Sequence, residues 1–110
     1  MISVRLERLA LNQVVFREAN EHLLELLGAS PGTTEFLCEC SNLECTDAVP
    51  LTLLDYERVR SRSNQFVIVP GHEIPEIEQV TSASDSYFLV RKLYGAEYAE
   101  QTDPRSRPEG

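Results

Sequence analysis

A chain of 110 residues is one domain's worth, and with 42% apolar and 25% charged residues its composition excludes wholesale disorder or a coiled coil throughout. Eighteen Asp and Glu against ten Lys and Arg give a formal charge of -8, which disfavours nucleic acid as a partner, because gripping phosphates rests on counterion release by Lys and Arg. No stretch approaches the roughly 20 apolar residues of a membrane span and residues 1–8 lack the basic-then-apolar order of a signal peptide, so no membrane is expected and the cytoplasm is the expected location.

Residues 3–27 carry the longest helical pattern. Leu9, Phe16, Ala19, Leu23, Leu26 and Leu27 recur at spacings of three, four and seven, with Arg17, Glu18, Glu21 and Glu25 between them. Gly28 is placed to end the helix. That stripe needs cover, either from the body of the domain or from a second chain; Leu9, Phe16 and Leu23, seven apart, allow a homodimer seam. Residues 29–34 read as a linker of turn formers.

Beyond the linker the period shortens. Residues 35–38 and 48–51 read as strands entering and leaving a cysteine cluster. Thr52 and Asp55 form a capping box with the shorter Asp, and Leu53, Leu54, Tyr56 and Val59 continue a helix to about Arg60. Residues 66–69 are a buried-strand run, 70–75 a turn-rich loop, and 76–82 with 87–91 a hairpin joined through 83–86. From Glu97 onward no apolar anchor is visible and disorder is expected. The expected fold is α+β: a long N-terminal amphipathic helix (1–28), a linker (29–34), a small β-rich body of zinc-ribbon-like or treble-clef-like character with one short helix and a C-terminal β-hairpin (35–95), and a disordered tail (96–110).

Cys38, Cys40 and Cys45 fall within eight residues. An odd count without an export signal makes a poor disulfide framework and points to a metal or redox site. Cys38 and Cys40, two apart on extended backbone, project to one face, and residues 41–44 supply a turn that returns Cys45 to the same point. His72, following the turn former Pro70 and Gly71, is the leading fourth ligand. His22, Asp47, Glu73 and an open water position are the alternatives. Three thiolates and an imidazole are a standard tetrahedral zinc set, and soft thiolates select Zn2+ over magnesium, calcium or manganese. Arg58, Arg60 and Arg62 form a basic patch at a helix C-terminus, explained either by charge complementarity there or by a contact for an acidic partner or nucleic acid. Glu73, Glu76 and Glu78 include a candidate general base, Glu73, for a metal-dependent hydrolase.

The body, together with residues 16–21 of the preceding helix, resembles a set of small uncharacterised bacterial proteins. The shared pattern is residues 36–40 (Phe-Leu-Cys-Glu-Cys), Cys45, Leu51 with Thr52, Tyr56 and Glu57 with Val59 and Arg60, then Phe66 and Val67 with 70–73 (Pro-Gly-His-Glu). The resemblance covers about three quarters of the chain. It implies that the cysteines and His72 form one Cys3His zinc-binding constellation, and it implies no activity. The expected function is therefore a small cytoplasmic structural-zinc module, not an enzyme, acting by protein–protein interaction in a regulatory role through a protein partner or as a homodimer. Its rivals are a zinc- or thiol-based redox sensor and a nucleic-acid-binding zinc-ribbon-like regulator.

Overall fold

The computed structural model describes residues 4–27, 32–93, 96–103 and 105. Its elements are α1 (Val4–Leu27), β1 (Thr33–Leu37), β2 (Ala48–Thr52), α2 (Leu53–Val59), β3 (Gln65–Ile68), β4 (Glu78–Ala83), β5 (Phe88–Lys92) and α3 (Ala96–Gln101). The fold is α+β, with a long N-terminal helix, two small antiparallel sheets and short helices. β1 pairs with β2, and a second sheet has the order β3-β5-β4. Thr33 and Thr34, expected in the linker, are the first residues of β1, and Gly28 lies outside the described residues.

Local chemistry explains most boundaries. Thr52 caps α2, its hydroxyl accepting from Asp55 N at 3.0 Å, as the capping box requires. The β4–β5 turn is closed by Ser84, whose N donates to Tyr87 O at 3.0 Å and whose hydroxyl accepts from Tyr87 N at 3.1 Å. A bulge between Val80 and Ser82 bends β4 at the sheet edge. Between the two sheets, Phe36 of β1 stacks on Tyr56 of α2 with ring centroids 4.4 Å apart. Val49, Leu51, Val59, Phe66 and Val90 complete this buried centre.

The inward face of α1 departs from expectation. It includes Ala10, Gln13, Val14, Arg17 and Asn20, all buried, with Leu23 and Leu24 packed on the core; of the expected stripe Leu23 therefore faces the body, Ala19 and Leu26 are exposed, and Leu9, Phe16 and Leu27 lie between. The reason is what the body presents to the helix. Arg17 donates to the carbonyls of Ser63 and Ala99 at 2.8 and 3.1 Å and lies over the Phe66 ring, 5.2 Å from its centroid. Gln13 Nε2 donates to Glu78 Oε1 at 2.6 Å, while Lys92 Nζ donates to Gln13 Oε1. Buried polar groups must be paired, and here that need outweighs the gain from turning leucines inward.

The tail also differs from expectation. α3 occupies part of the segment expected to be disordered, with Ala99 and Asp103 buried. Ala99 joins the apolar core, and polar contacts add to it: Arg60 Nη2 donates to Asp103 Oδ1, and Arg105 reaches Glu21 and Glu57, each at 2.8 Å. Residues 104 and 106–110 lie outside the described part.

Candidate metal centre

The three cysteines lie on the loop 38–47 that joins β1 to β2. Leu37 and Ala48 are the last strand pair, and Cys38 N extends the ladder by one bond to Asp47 O at 3.1 Å. The side chain of Asn42 then turns the chain: its Oδ1 accepts from Glu44 N at 3.0 Å, an Asx-type turn, and its backbone carbonyl accepts from Cys45 N at 3.0 Å. Cys45 is thereby returned toward Cys38 and Cys40.

His72 arrives on a second loop. Val69, Pro70, Gly71 and His72 form a β-turn in which His72 N donates to Val69 O at 3.0 Å. Gly71 has φ +92, the left-handed conformation that the third position of a type II turn needs, with Pro favoured before it. Val69 also serves the cysteine side, its N donating to Cys38 Sγ at 3.2 Å. One residue therefore holds a thiol with its amide and a histidine with its carbonyl.

The four donor atoms converge. One ligand atom each from Cys38, Cys40, Cys45 and His72 all lie within 4.8 Å of one another, so the group can hold a metal ion. His72 Nδ1 is 3.5 Å from Cys38 Sγ and 3.7 Å from Cys45 Sγ. A tetrahedral ion with metal–sulfur bonds near 2.3 Å and metal–nitrogen bonds near 2.05 Å separates S from N by about 3.6 Å. The donor set fits a tetrahedral ion on that measure. His72 Nε2 faces Asp47 Oδ2 at 3.5 Å, so Asp47 stands on the far side of the ring, where a carboxylate can orient a ligating imidazole. All three cysteines are free of disulfides.

The thiols load unevenly. The Cys38 thiol donates to Cys40, which holds Cys40 down at about 5 and pushes Cys38 up, with burial adding to the rise. Burial also raises Cys45. Three thiolates this close repel one another, and a divalent cation removes that repulsion.

Glu39, between two cysteines, is 0% exposed. Its side chain projects away from the sulfurs, accepting from Asn20 Nδ2 at 2.9 Å, Tyr56 OH at 2.6 Å and Val67 N at 3.1 Å. Burial pushes its carboxyl up against the pull of these donors. α1, α2 and β3 thus grip the cysteine loop through one carboxylate. α1 adds a second grip at Asn12, whose Nδ2 donates to Ser41 O at 2.7 Å. None of Asn12, Asn20, Glu39 and Val69 was singled out from sequence as supporting the site; an acid flanked by two cysteines was the one visible signal.

The other candidates fall elsewhere. His22 is exposed on α1, 3.9 Å from Glu25. Glu73 caps its own turn, accepting from Gly71 N at 3.1 Å, and neither it nor Asp47 belongs to the convergent set. Glu78 is buried against Gln13 and Ile74. The basic patch is broken at its middle: the Arg60 side chain is 0% exposed and pairs with Glu21 at 3.1 Å and with Asp103. Only Arg58 and Arg62 of that run face solvent. An open pocket of about 230 Å³, lined by Cys40, Ser41, Asn42, His72 and Ile74, gives solvent a view of one side of the centre. No helix among the described residues is long and apolar enough to cross a membrane.

The chain matches no protein-family model, and comparison with curated proteins and with solved structures returns no similar one.

Proposed function

We propose that this chain is a small zinc module in which Cys38, Cys40, Cys45 and His72 hold one structural Zn2+ and the surface built around the ion works by binding another protein, in a regulatory role. The observation that carries the reading is the convergence of three sulfurs and an imidazole nitrogen, with S–N separations of 3.5 and 3.7 Å. Soft thiolates favour zinc among the common divalent ions. The supports behind the ligands suit a structural site: the Asn42 turn and the type II turn each place a ligand, and buried Glu39 ties the cysteine loop to β3. A ligand set of four protein donors leaves no coordination position for a substrate, so the reading is of binding and not catalysis. The cytoplasm, where thiols stay reduced, suits such a centre.

Elemental analysis of the untagged protein is expected to give one zinc per chain. Cobalt substitution should give tetrahedral visible bands that shift in His72→Ala, and His72→Cys should restore a tetrahedral spectrum. Identical spectra for the parent and His72→Ala would remove His72 from the site and the structural reading with it.

A redox-responsive centre is the second reading, favoured by the partial exposure of Cys45 and the solvent-facing pocket at Cys40 and His72. Stoichiometric zinc release by low peroxide, reversed by thiol reductant, would support it. Retention of zinc under the same dose would leave the structural reading alone.

A further inference from the structure

α1 buries a polar face and leaves an apolar one in water. Val4, Leu11, Val15 and Leu26 are 70%, 47%, 48% and 72% exposed, and Ala19 is exposed with them. At 3.6 residues per turn these five positions fall within about 80° of one another and extend over roughly 33 Å. They form one stripe, on the side of the helix opposite Gln13, Arg17 and Asn20. Apolar residues scattered singly on a surface need no explanation, but five gathered on one helix face do.

The borders of the stripe differ. Glu7, Glu18 and Glu25, all exposed, run along one edge. Along the other, half-buried Phe16 widens the apolar surface, and Leu23 turns inward onto the core. Arg8 and His22 are exposed within the stripe.

A second copy of the chain fits this face poorly. Antiparallel pairing about Val15 brings like edges together and sets Glu7 near Glu25 of the other copy; parallel pairing lays the acidic edge on Phe16. Like charges across a helix pair are destabilising, and each chain carries a formal charge of -8. The complementary surface is an apolar stripe with cations along one edge.

We propose that the outward face of α1 docks an amphipathic helix of a partner protein whose apolar stripe is bordered by Lys and Arg. The proposal deepens the interaction-module reading and rests on it in taking the chain as a binding protein. A single helix-on-helix seam is a small interface, of the size that weak and transient complexes use.

The test uses the full metal-loaded chain and two synthetic 22-residue helices. Both carry Leu at heptad positions a and d; one has Lys at e and g, the other Glu. The Lys-bordered helix is expected to bind at least tenfold more tightly at 0.1 M salt, with amide shifts concentrated on α1 from Leu11 to Leu26. Val15→Glu, at an exposed position, should abolish binding while zinc content and melting temperature stay unchanged. Glu18→Lys with Glu25→Lys should reverse the preference toward the Glu-bordered helix. Equal binding of both peptides, or shifts centred away from α1, would overturn the proposal. So would a parent that sediments as a dimer dissolved by Val15→Glu, which would assign the face to a second copy. A chain that binds the Lys-bordered helix but holds no metal would leave this proposal standing and remove the zinc reading.

Discussion

The side-chain amide of Asn20 makes to Leu37 the pair of hydrogen bonds that a neighbouring strand would make. Its Oδ1 accepts from Leu37 N at 2.8 Å and its Nδ2 donates to Leu37 O at 2.9 Å. The same Nδ2 donates to Glu39. A helix thereby completes the edge of a sheet one residue before the first cysteine.

Asn20→Ala should therefore destabilise the protein by about 3 kcal/mol, because it leaves buried backbone groups and a buried carboxylate short of partners. Asn20→Asp should be worse, since it sets a second carboxylate against Glu39. Denaturant midpoints at constant slope check both. A loss below about 0.5 kcal/mol for the alanine variant, the scale of an ordinary surface change, would show that the amide contributes nothing.

Glu39→Gln keeps the shape of the side chain and removes its uniform acceptor character. Donors approach both oxygens, two at Oε2 and one at Oε1, so a glutamine NH2 must face at least one of them. The expected cost is about 2 kcal/mol, with faster zinc transfer to a chromogenic chelator than in the parent. Parent-like stability and transfer rate would deny Glu39 any part in holding the loop.

Chelation should unfold the body. Structural zinc contributes an apparent 10–16 kcal/mol, roughly, in small peptides at neutral pH, as much as or more than the about 5–15 kcal/mol of a typical domain. A large fall in melting temperature in excess chelator, reversed by added zinc, is the expected result. An unchanged melting temperature would rule out a structural ion.

Lys92 gives a pH signature. Burial lowers its pKa to about 8 despite the pull of Glu78. Between about 8 and the unfolded value near 10.4 the unfolded chain binds more protons than the folded one, so this group makes stability rise with pH across that window. The rise is fully developed above the unfolded pKa and absent below about 8. Lys92→Met should remove a slope of up to about 1.4 kcal/mol per pH unit from the difference between parent and variant. Parallel stability curves from pH 8 to 10 would contradict the assignment.

Asp103→Ala tests the tail. Arg60 is fully buried and its partners are Glu21 and Asp103. Taking one acid from a buried cation typically costs about 3–5 kcal/mol, and the surviving bond to Glu21 sets the expectation near the lower figure. A tail without a fixed place would give no change in thermal midpoint.

The parts of this fold legible in the sequence are those decided by neighbours in the chain. The helix cap at Thr52, the turn at Pro70 and Gly71 and the apolar runs at 66–69 and 87–91 all report local preferences, and the structure keeps them. The same is true of the convergence of Cys38, Cys40, Cys45 and His72, since extended spacing and a turn former already constrain it. The face of α1 is not legible, because the choice between Leu26 and Arg17 depends on carbonyls at Ser63 and Ala99 that no helical period records. The tail was misread for a related reason: Asp103 looks solvated until Arg60 is seen to be buried. Counting apolar residues finds a core made of carbon and overlooks one sealed by hydrogen bonds.

The polar inner face of α1 also bears on the order in which the molecule is made. α1 is translated before the elements it packs on, and several of its partners lie far downstream: Asn12 waits for Ser41, 29 residues on, Gln13 for Glu78 and Lys92, 65 and 79 residues on, and Arg17 for Ala99, 82 residues on. A leucine-faced helix held that long on the ribosome would offer a sticky surface to other nascent chains. Gln13, Arg17 and Asn20 are content in water meanwhile, so the face that waits for these partners adds nothing to the hazard the outward apolar residues already pose. In pulse-labelled refolding, the amides of α1 should gain protection after those of the two sheets.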